Sequence, residues 1–419
     1  MMIILFTIVF ILVICFYQSL TYRRMYRYVT SQLKKPFSPY CPKAAVILPC
    51  KGLDPDFARN VYKLFVQNYR SIQSEAGSGE DPNFEIIFSV ASVDDPAYVV
   101  IDQVMRENPS IKSKLVVAGI DNKRAQKITN QLEALKVVSP DVDTFVFVDS
   151  DVIARPDFLA YLVTPLQDNN VGITTGYRFY LPSKFSLAAL IRSLWNRLSA
   201  WELSSEKFAF AWGGAMAIRR STFERAAVAQ VWDRSADDDL SMTTAVKRLG
   251  LSVLFVPQCL VISHGDASWS EILEWTNRQL ILTKVYYPAL WLMGVIRAFV
   301  MAAWLIVVLA LTFQIIALHV YKLLPVLFAA LMLLVVEFYF LFQAHGLWKQ
   351  LLGEQVEGSS QQQFSFEQAY KNLLWQSALV VPLAHVILPI LTLYSLLTNR
   401  IRWRGINYEL RSAEETVVV

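Results

Sequence analysis

In the stretch Phe145-Val146-Phe147-Val148-Asp149-Ser150-Asp151-Val152, four apolar residues run straight into two carboxylates one residue apart. Aromatic and β-branched residues in such a run read as a buried strand. In an open α/β sheet, ligands bind outside the carboxyl ends of strands, where Asp149 and Asp151 stand. Two carboxylates there repel each other unless positive charge lies between them. A hard divalent cation that also bridges a diphosphate meets that need. Solvated loop acids are the plain alternative, and a lone Asp-x-Asp does not choose between them. A second acidic cluster, Asp237-Asp238-Asp239, adds weight to the first reading.

Around this stretch, strand-like runs alternate with helix-like ones. Ala44 to Leu48, Phe84 to Val90, Lys114 to Ala118, Val171 to Thr175 and Val253 to Val256 read as strands, and Asp121 to Leu135 as a helix. Alternation of this kind predicts a mostly parallel sheet covered on both faces. The expected soluble domain runs from 43 to 284. Within it, 184–201 places Leu187, Leu190, Ile191, Leu194, Leu198 and Trp201 at helical spacing, opposite Arg192, Asn196 and Arg197. Both a membrane-interface helix and an ordinary core-facing helix fit that pattern. Trp212-Gly213-Gly214 opens a small-residue stretch where backbone can approach a ligand closely.

The flanks are apolar. Residues 1–22 carry no charge and suffice to cross a bilayer. Arg23, Arg24, Arg27, Lys34 and Lys35 follow and place that end on the cytoplasmic side. A cleaved signal peptide has its positive charge ahead of the apolar run, so a retained anchor is expected. Residues 285–399 hold about three further spans, from Ala298 to Tyr321, Leu323 to Ala344 and Asn372 to Asn399, with a polar linker from Gly353 to Gln363. Residues 400–419 read as a basic tail whose Arg400, Arg402 and Arg404 argue for the cytoplasmic side. Four crossings would put that tail outside instead, so one apolar segment must fail to cross.

Composition agrees with an integral membrane protein: 54% of the 419 residues are hydrophobic and the mean hydropathy is +0.36. A net charge of +4 without a long basic run gives nucleic-acid binding little support. Cys15, Cys41, Cys50 and Cys259 contain no Cys-x-x-Cys pair, which favours reduced, packed thiols.

Several side chains are candidates for chemistry. Asp94 or Asp95 ends a strand early in the sheet, where a carboxylate meets a ligand's polar edge. Lys127 can neutralise phosphate as a point cation, or be a solvated helix lysine. Asp237 and Asp238 suit a helix N-terminus. Asp239 is more acid than capping requires, and a general base is the alternative. Arg278, just before the membrane region, can stabilise a diphosphate leaving group or bind lipid headgroups. His264 reads as a metal ligand or a hydrogen-bonded core histidine. Glu337, inside an apolar span, should face a helix partner rather than lipid.

The ordered motifs Pro49-Cys50-Lys51-Gly52-Leu53-Asp54-Pro55, Asp94-Asp95-Pro96-Ala97, Lys127-Ile128-Thr129-Asn130, Asp149-Ser150-Asp151 and Asp238-Asp239 resemble the membrane-anchored family-2-type glycosyltransferases, most of all their ceramide glucosyltransferase branch. The resemblance covers roughly Val46 to Pro288 plus the flanking spans. It implies an α/β GT-A domain with helical transmembrane segments at both ends and the domain facing the cytoplasm. It also implies an inverting transfer of sugar, UDP-glucose first, to a membrane lipid hydroxyl, with ceramide or then diacylglycerol as acceptor. Asp95 takes the uridine-binding position; Lys127, Asp149 and Arg278 also bind donor; Asp149 and Asp151 hold Mn2+ or Mg2+; and Asp239 is the base. Arg278 is kept, but Ile281 and Leu282 stand where the family has an Arg-Trp pair that braces acceptor and diphosphate. Two other readings stay open: a processive polysaccharide synthase, and a nucleotide-binding membrane scaffold without activity.

Overall fold

The computed structural model describes residues 2–35, 38–70, 82–263, 265–353 and 360–419. Strands β1 (Ala44–Pro49), β2 (Phe84–Val90) and β4 (Thr144–Val148) are buried along their whole length. Their unbroken apolar sequences are what a sheet covered on both faces demands. With β3 (Ser113–Val117), β5 (Val171–Tyr180), β6 (Ala215–Arg219) and β7 (Ser252–Ser263) they form, among the described residues, a seven-stranded sheet of order β3-β2-β1-β4-β6-β5-β7. β6 runs antiparallel to both neighbours, and the remaining pairs are parallel. β6 was not anticipated, because Ala215-Met216-Ala217 carries little strand character of its own. β7 continues through Pro257, where the sequence pattern stops. There the register between β5 and β7 shifts beside Gly176, whose absent Cβ would stand 2.3 Å from the Cys259 carbonyl oxygen.

Alternation along β4 feeds two cores. Val146 and Val148 pack with α2 (Phe57–Phe65), α3 (Pro96–Glu107) and α5 (Phe158–Val163) on one face. Phe145 and Phe147 pack with α4 (Gln126–Lys136), α7 (Arg220–Arg225), α8 (Val228–Trp232) and α9 (Asp239–Arg248) on the other. Phe147 meets Trp232 edge-on at 5.2 Å between ring centroids, which locks the strand whose end carries Asp149.

Helix α6 (Leu187–Ala200), capped by Ser186 Oγ on the Ala189 N–H, is enclosed rather than half-exposed: Ile191, Ser193 and Arg197 are all buried. It lies against β5 on one side and the apolar helices on the other. Helix α1 (Met2–Leu33) runs past the expected anchor into the domain, where Met25 and Val29 are fully buried and Tyr28 donates to the Phe255 carbonyl at 2.6 Å. After α10 (Trp269–Tyr286) come α11 (Pro288–Ala317), α12 (Leu324–Gly353) and α13 (Ser360–Leu397). Among the described residues, three helices are long and apolar enough to cross a membrane: Pro288–Ala317, Tyr321–Gly353 and Ser365–Leu397.

One feature departs from the sequence reading. Residues 400–419 are not a loose basic tail but a three-stranded sheet, β8 (Arg400–Trp403), β9 (Ile406–Ser412) and β10 (Glu415–Val418). Ile401, Tyr408 and Leu410 are its buried face and join the α4/α9 core, a pattern that the interleaved arginines conceal. Helix α13 overlaps the expected third span and touches the α/β domain at several points: the Tyr370 and Phe179 rings meet tilted, Ser377 Oγ accepts from Arg197, and just past its end Lys284 donates to the Thr398 carbonyl at 2.9 Å.

Candidate active site

A polar cavity of about 390 Å³ opens at the carboxyl ends of β1 and β4, and Lys127, Asp149, Asp151, Arg178, Asp239 and Arg278 lie on its wall. The sheet brings these together from positions 151 residues apart in the chain. Lys127, on the second residue of α4, bridges Asp149 Oδ1 at 3.0 Å and Asp238 Oδ2 at 2.9 Å. With its side chain 14% exposed, it is a structural cation as well as part of the cavity wall, not a solvated helix lysine. Burial disfavours its charge, but the carboxylates of Asp149 and Asp238 outweigh that and raise its pKa.

Arg178, near the end of β5, grips Asp151 with two parallel 2.6 Å hydrogen bonds and reaches Asp149 Oδ2 at 3.6 Å. The guanidinium also lies over the Trp212 ring, 5.0 Å from its centroid. Burial pushes the Asp149 carboxyl up despite Lys127. Burial acts on Asp151 in the same sense, but Arg178 prevails and holds it below the usual range. The sequence reading did not single out Arg178. Its signal is a charge embedded in the apolar run Gly176-Tyr177-Arg178-Phe179-Tyr180.

The acidic cluster divides its labour. Asp237 Oδ2 accepts from the Leu240 N–H at 2.8 Å and so caps α9. Asp238, also suited by sequence to capping, instead pairs with Lys127 and accepts from Gln131 at 2.8 Å. Asp239 faces the cavity, its two oxygens accepting from the Gly213 and Leu240 N–H groups at 2.7 Å each. A carboxylate has about four lone-pair sites, so capacity for a further donor remains. Burial and the charge of Asp238 push its pKa up to about 6. Gly213 is needed here for close approach: a Cβ would sit 2.8 Å from Lys127 Nζ and 2.9 Å from Asp238 Oδ2.

Asp95 is not on the cavity wall. Its Oδ1 accepts from the Gly52 N–H and caps α3 through the Ala97 N–H, both at 2.9 Å, with Gly52 at φ +68°. Asn130 tethers the Cys50 and Ser89 carbonyls at 3.3 and 3.2 Å. Arg278 reaches the wall from α10, over the Trp403 ring at 5.4 Å from its centroid. No carboxylate lies within salt-bridge distance of it among the described residues. Trp403, Arg404 and Tyr408 of the C-terminal sheet complete the wall, and Arg404 pairs with Asp54 at 2.9 Å while its carbonyl accepts from Lys51 at 2.9 Å. Nothing in the sequence near 400 announces this, since the contact closes across some 350 residues.

Asp149 and Asp151 offer paired hard oxygens at the mouth of a polar cavity, which is the donor chemistry a divalent cation requires. Arg178 stands within ion-pair reach of both. Among the described residues no group of three or more His, Cys, Asp or Glu gathers as a metal site. His264 lies outside the described residues.

Caenorhabditis elegans ceramide glucosyltransferase 1 is 24% identical over 131 residues, which span 31% of this chain and 25% of that protein. A mannosyltransferase, PcManGT from Pyrobaculum calidifontis in complex with GDP-Man and Mn2+, superposes with a TM-score of 0.46 at 15% identity over 93% of this chain and 96% of its own. A mycobacterial protein superposes with a TM-score of 0.37 at 16% identity, over 58% of this chain and 74% of its own. The mostly parallel sheet covered by helices, with apolar helices behind it, is the α/β GT-A architecture that the resemblance implied. Residues 6–416 match the family model, and the chain belongs to glycosyl transferase family 21.

Proposed function

We propose that this glycosyltransferase moves a sugar, glucose first, from a nucleoside diphosphate donor of the UDP class to a membrane lipid hydroxyl. Ceramide is the acceptor of first choice and diacylglycerol the second. The observation that carries the reading is Asp239: a carboxylate on the cavity wall, fixed by two backbone N–H groups, with a pKa near 6.

The chemistry is a direct displacement. The acceptor oxygen attacks the anomeric carbon from the face opposite the diphosphate, the new C–O bond forms as the old one breaks, and configuration inverts. The acceptor proton passes to Asp239, whose pKa near the working pH suits a general base. Arg278, without a carboxylate partner among the described residues, meets the negative charge that gathers on the departing diphosphate. Lys127 keeps Asp149 and Asp238 in place. Asp149 and Asp151 would hold a divalent cation, which when bound supplies charge neutralisation for the diphosphate. Asp95 acts through the Gly52 loop and α3 rather than by touching the cavity.

The test is mass spectrometry of lipid products formed by the full chain in vesicles given UDP-glucose with ceramide or diacylglycerol. Asp239→Asn keeps the shape and one of the two accepted backbone hydrogen bonds, and is expected to slow transfer at least ~10²-fold while donor binding persists. A near wild-type rate would make Asp239 a structural acid and place the base elsewhere.

A further inference from the structure

A second cavity, of about 130 Å³, lies where α1, α6, α11, α12 and α13 meet, and it shares no lining residue with the first. Its wall is mostly apolar and aromatic, with Trp195, Trp201, Phe340 and Leu388 among it. Two arginines break that surface. Arg197 of α6 is 4% exposed; its guanidinium donates to the Ser193 carbonyl at 3.2 Å and to Ser377 Oγ at 2.6 Å. No carboxylate pairs with it among the described residues, and burial pulls its pKa down to about 10. Arg297 of α11 lines the same space, also without an ion pair among the described residues. The carboxylate on the wall, Glu337, is committed to His385 at 3.0 Å.

A buried cation without an anion is expensive, because neutral partners repay little of its lost hydration. The same cavity contains an unmet acceptor, Gln18 Oε1, which is buried with no donor. Two cations and an orphan acceptor, set among apolar helices at the level where α6 meets the membrane helices, describe a ligand with an anionic group, a hydroxyl and hydrocarbon. We propose that this cavity binds the headgroup of an acidic phospholipid, its phosphate on Arg197 and Arg297 and its headgroup hydroxyl on Gln18. A volume of about 130 Å³ takes a headgroup, with the acyl chains left to run along the neighbouring helices. The site is separate from the donor cavity, so it stands or falls independently of the transferase reading.

The experiment uses the full chain in nanodiscs containing equal phosphatidylglycerol and phosphatidylcholine, released and weighed by native mass spectrometry. Wild type is expected to retain phosphatidylglycerol about tenfold over phosphatidylcholine, which has the same phosphate but sets a choline cation against the two arginines and offers Gln18 no hydroxyl. Arg197→Gln should abolish that preference and Arg197→Lys should keep part of it. If Arg197→Gln fails to fold, Arg297→Gln, at a less buried position, must by itself lower the preference. Equal retention of both lipids by wild type overturns the proposal, as does an unchanged preference in Arg297→Gln. Glycerol 3-phosphate is the soluble arm: if it raises the melting temperature in lipid-free detergent as much as phosphatidylglycerol does, the site takes a free phosphate and the lipid assignment falls.

Discussion

Asp239 is the residue on which the proposed chemistry turns, and its titration has two separable consequences. As a base it must be deprotonated, so kcat/KM should fall about tenfold per pH unit below about 6. In Asp239→Asn the residual rate should lack that limb. Stability runs the other way. The folded state holds this proton more tightly than the unfolded chain, whose carboxyl titrates near ~3.9. The contribution is therefore fully present below that value and is lost as pH rises through about 6. The melting temperature of Asp239→Asn, relative to wild type, should accordingly climb between pH 4 and 7; a constant difference refutes the raised pKa. Asp149 and Asp151 make a further residue-level prediction. Chelation should suppress transfer and added Mn2+ or Mg2+ should restore it, with Asp151→Ala weakening UDP binding only when metal is present. Equal UDP affinity of the two proteins in saturating metal would count against the clamp.

At the scale of elements, the β8–β9 hairpin is the part that a catalytic-domain view of the chain would discard. Its two-residue turn, Arg404 and Gly405, takes left-handed φ values of 49° and 81°, as a tight hairpin requires. That turn presents Trp403 and Arg404 to the donor cavity. The Arg404–Asp54 pair is partly exposed, and such pairs contribute up to about 1 kcal/mol to stability. Arg404→Ala should therefore melt close to wild type yet raise the donor KM several-fold. A matched fall in melting temperature and activity would reduce the hairpin to a structural brace. Gly213→Ala tests the opposite strand of the argument. Its methyl must displace the Lys127–Asp238 pair, so transfer should drop at least ~10-fold with the membrane helices untouched.

For the whole molecule, we propose that α13, which meets the α/β domain at Tyr370 and is followed by Thr398 against Lys284, does not carry the chain to the far side of a membrane. Pro382 and Pro389 in its middle each remove a backbone donor, which eases a bend. In that arrangement α11 leads out and α12 back, and residues 400–419 end on the side of the α/β domain, where they contact Lys51 and Asp54. This reconciles the arginines at 400, 402 and 404 with those after the first apolar run, which the count of four crossings did not. In a cysteine-free background, single cysteines at Lys63 and Ser412 should label from one side, the cytoplasmic one, and a cysteine at His319 from the other. Labelling of 319 and 412 from the same side would sink the arrangement.

Much of the site was readable in the sequence because local chemistry wrote it there. An apolar run ending in Asp149 and Asp151 reads as a buried strand delivering acids to a sheet edge, and the central strands β1, β2 and β4 follow from uninterrupted apolar residues. The surplus of a third acid at 237–239 likewise pointed to Asp239 before any distance was known. Which acid caps, which pairs and which faces the cavity depended on the path of α9 against Lys127 and Gly213, and spacing along the chain contains none of that. What Arg178, β6 and the C-terminal hairpin touch was legible only in three dimensions. Their partners lie tens to hundreds of residues away, so no periodicity or local propensity records them. The apolar length of α13 is written in the sequence, but what its ends touch is not. Sequence determines which side chains are able to do the chemistry; tertiary contact determines which of them are free to.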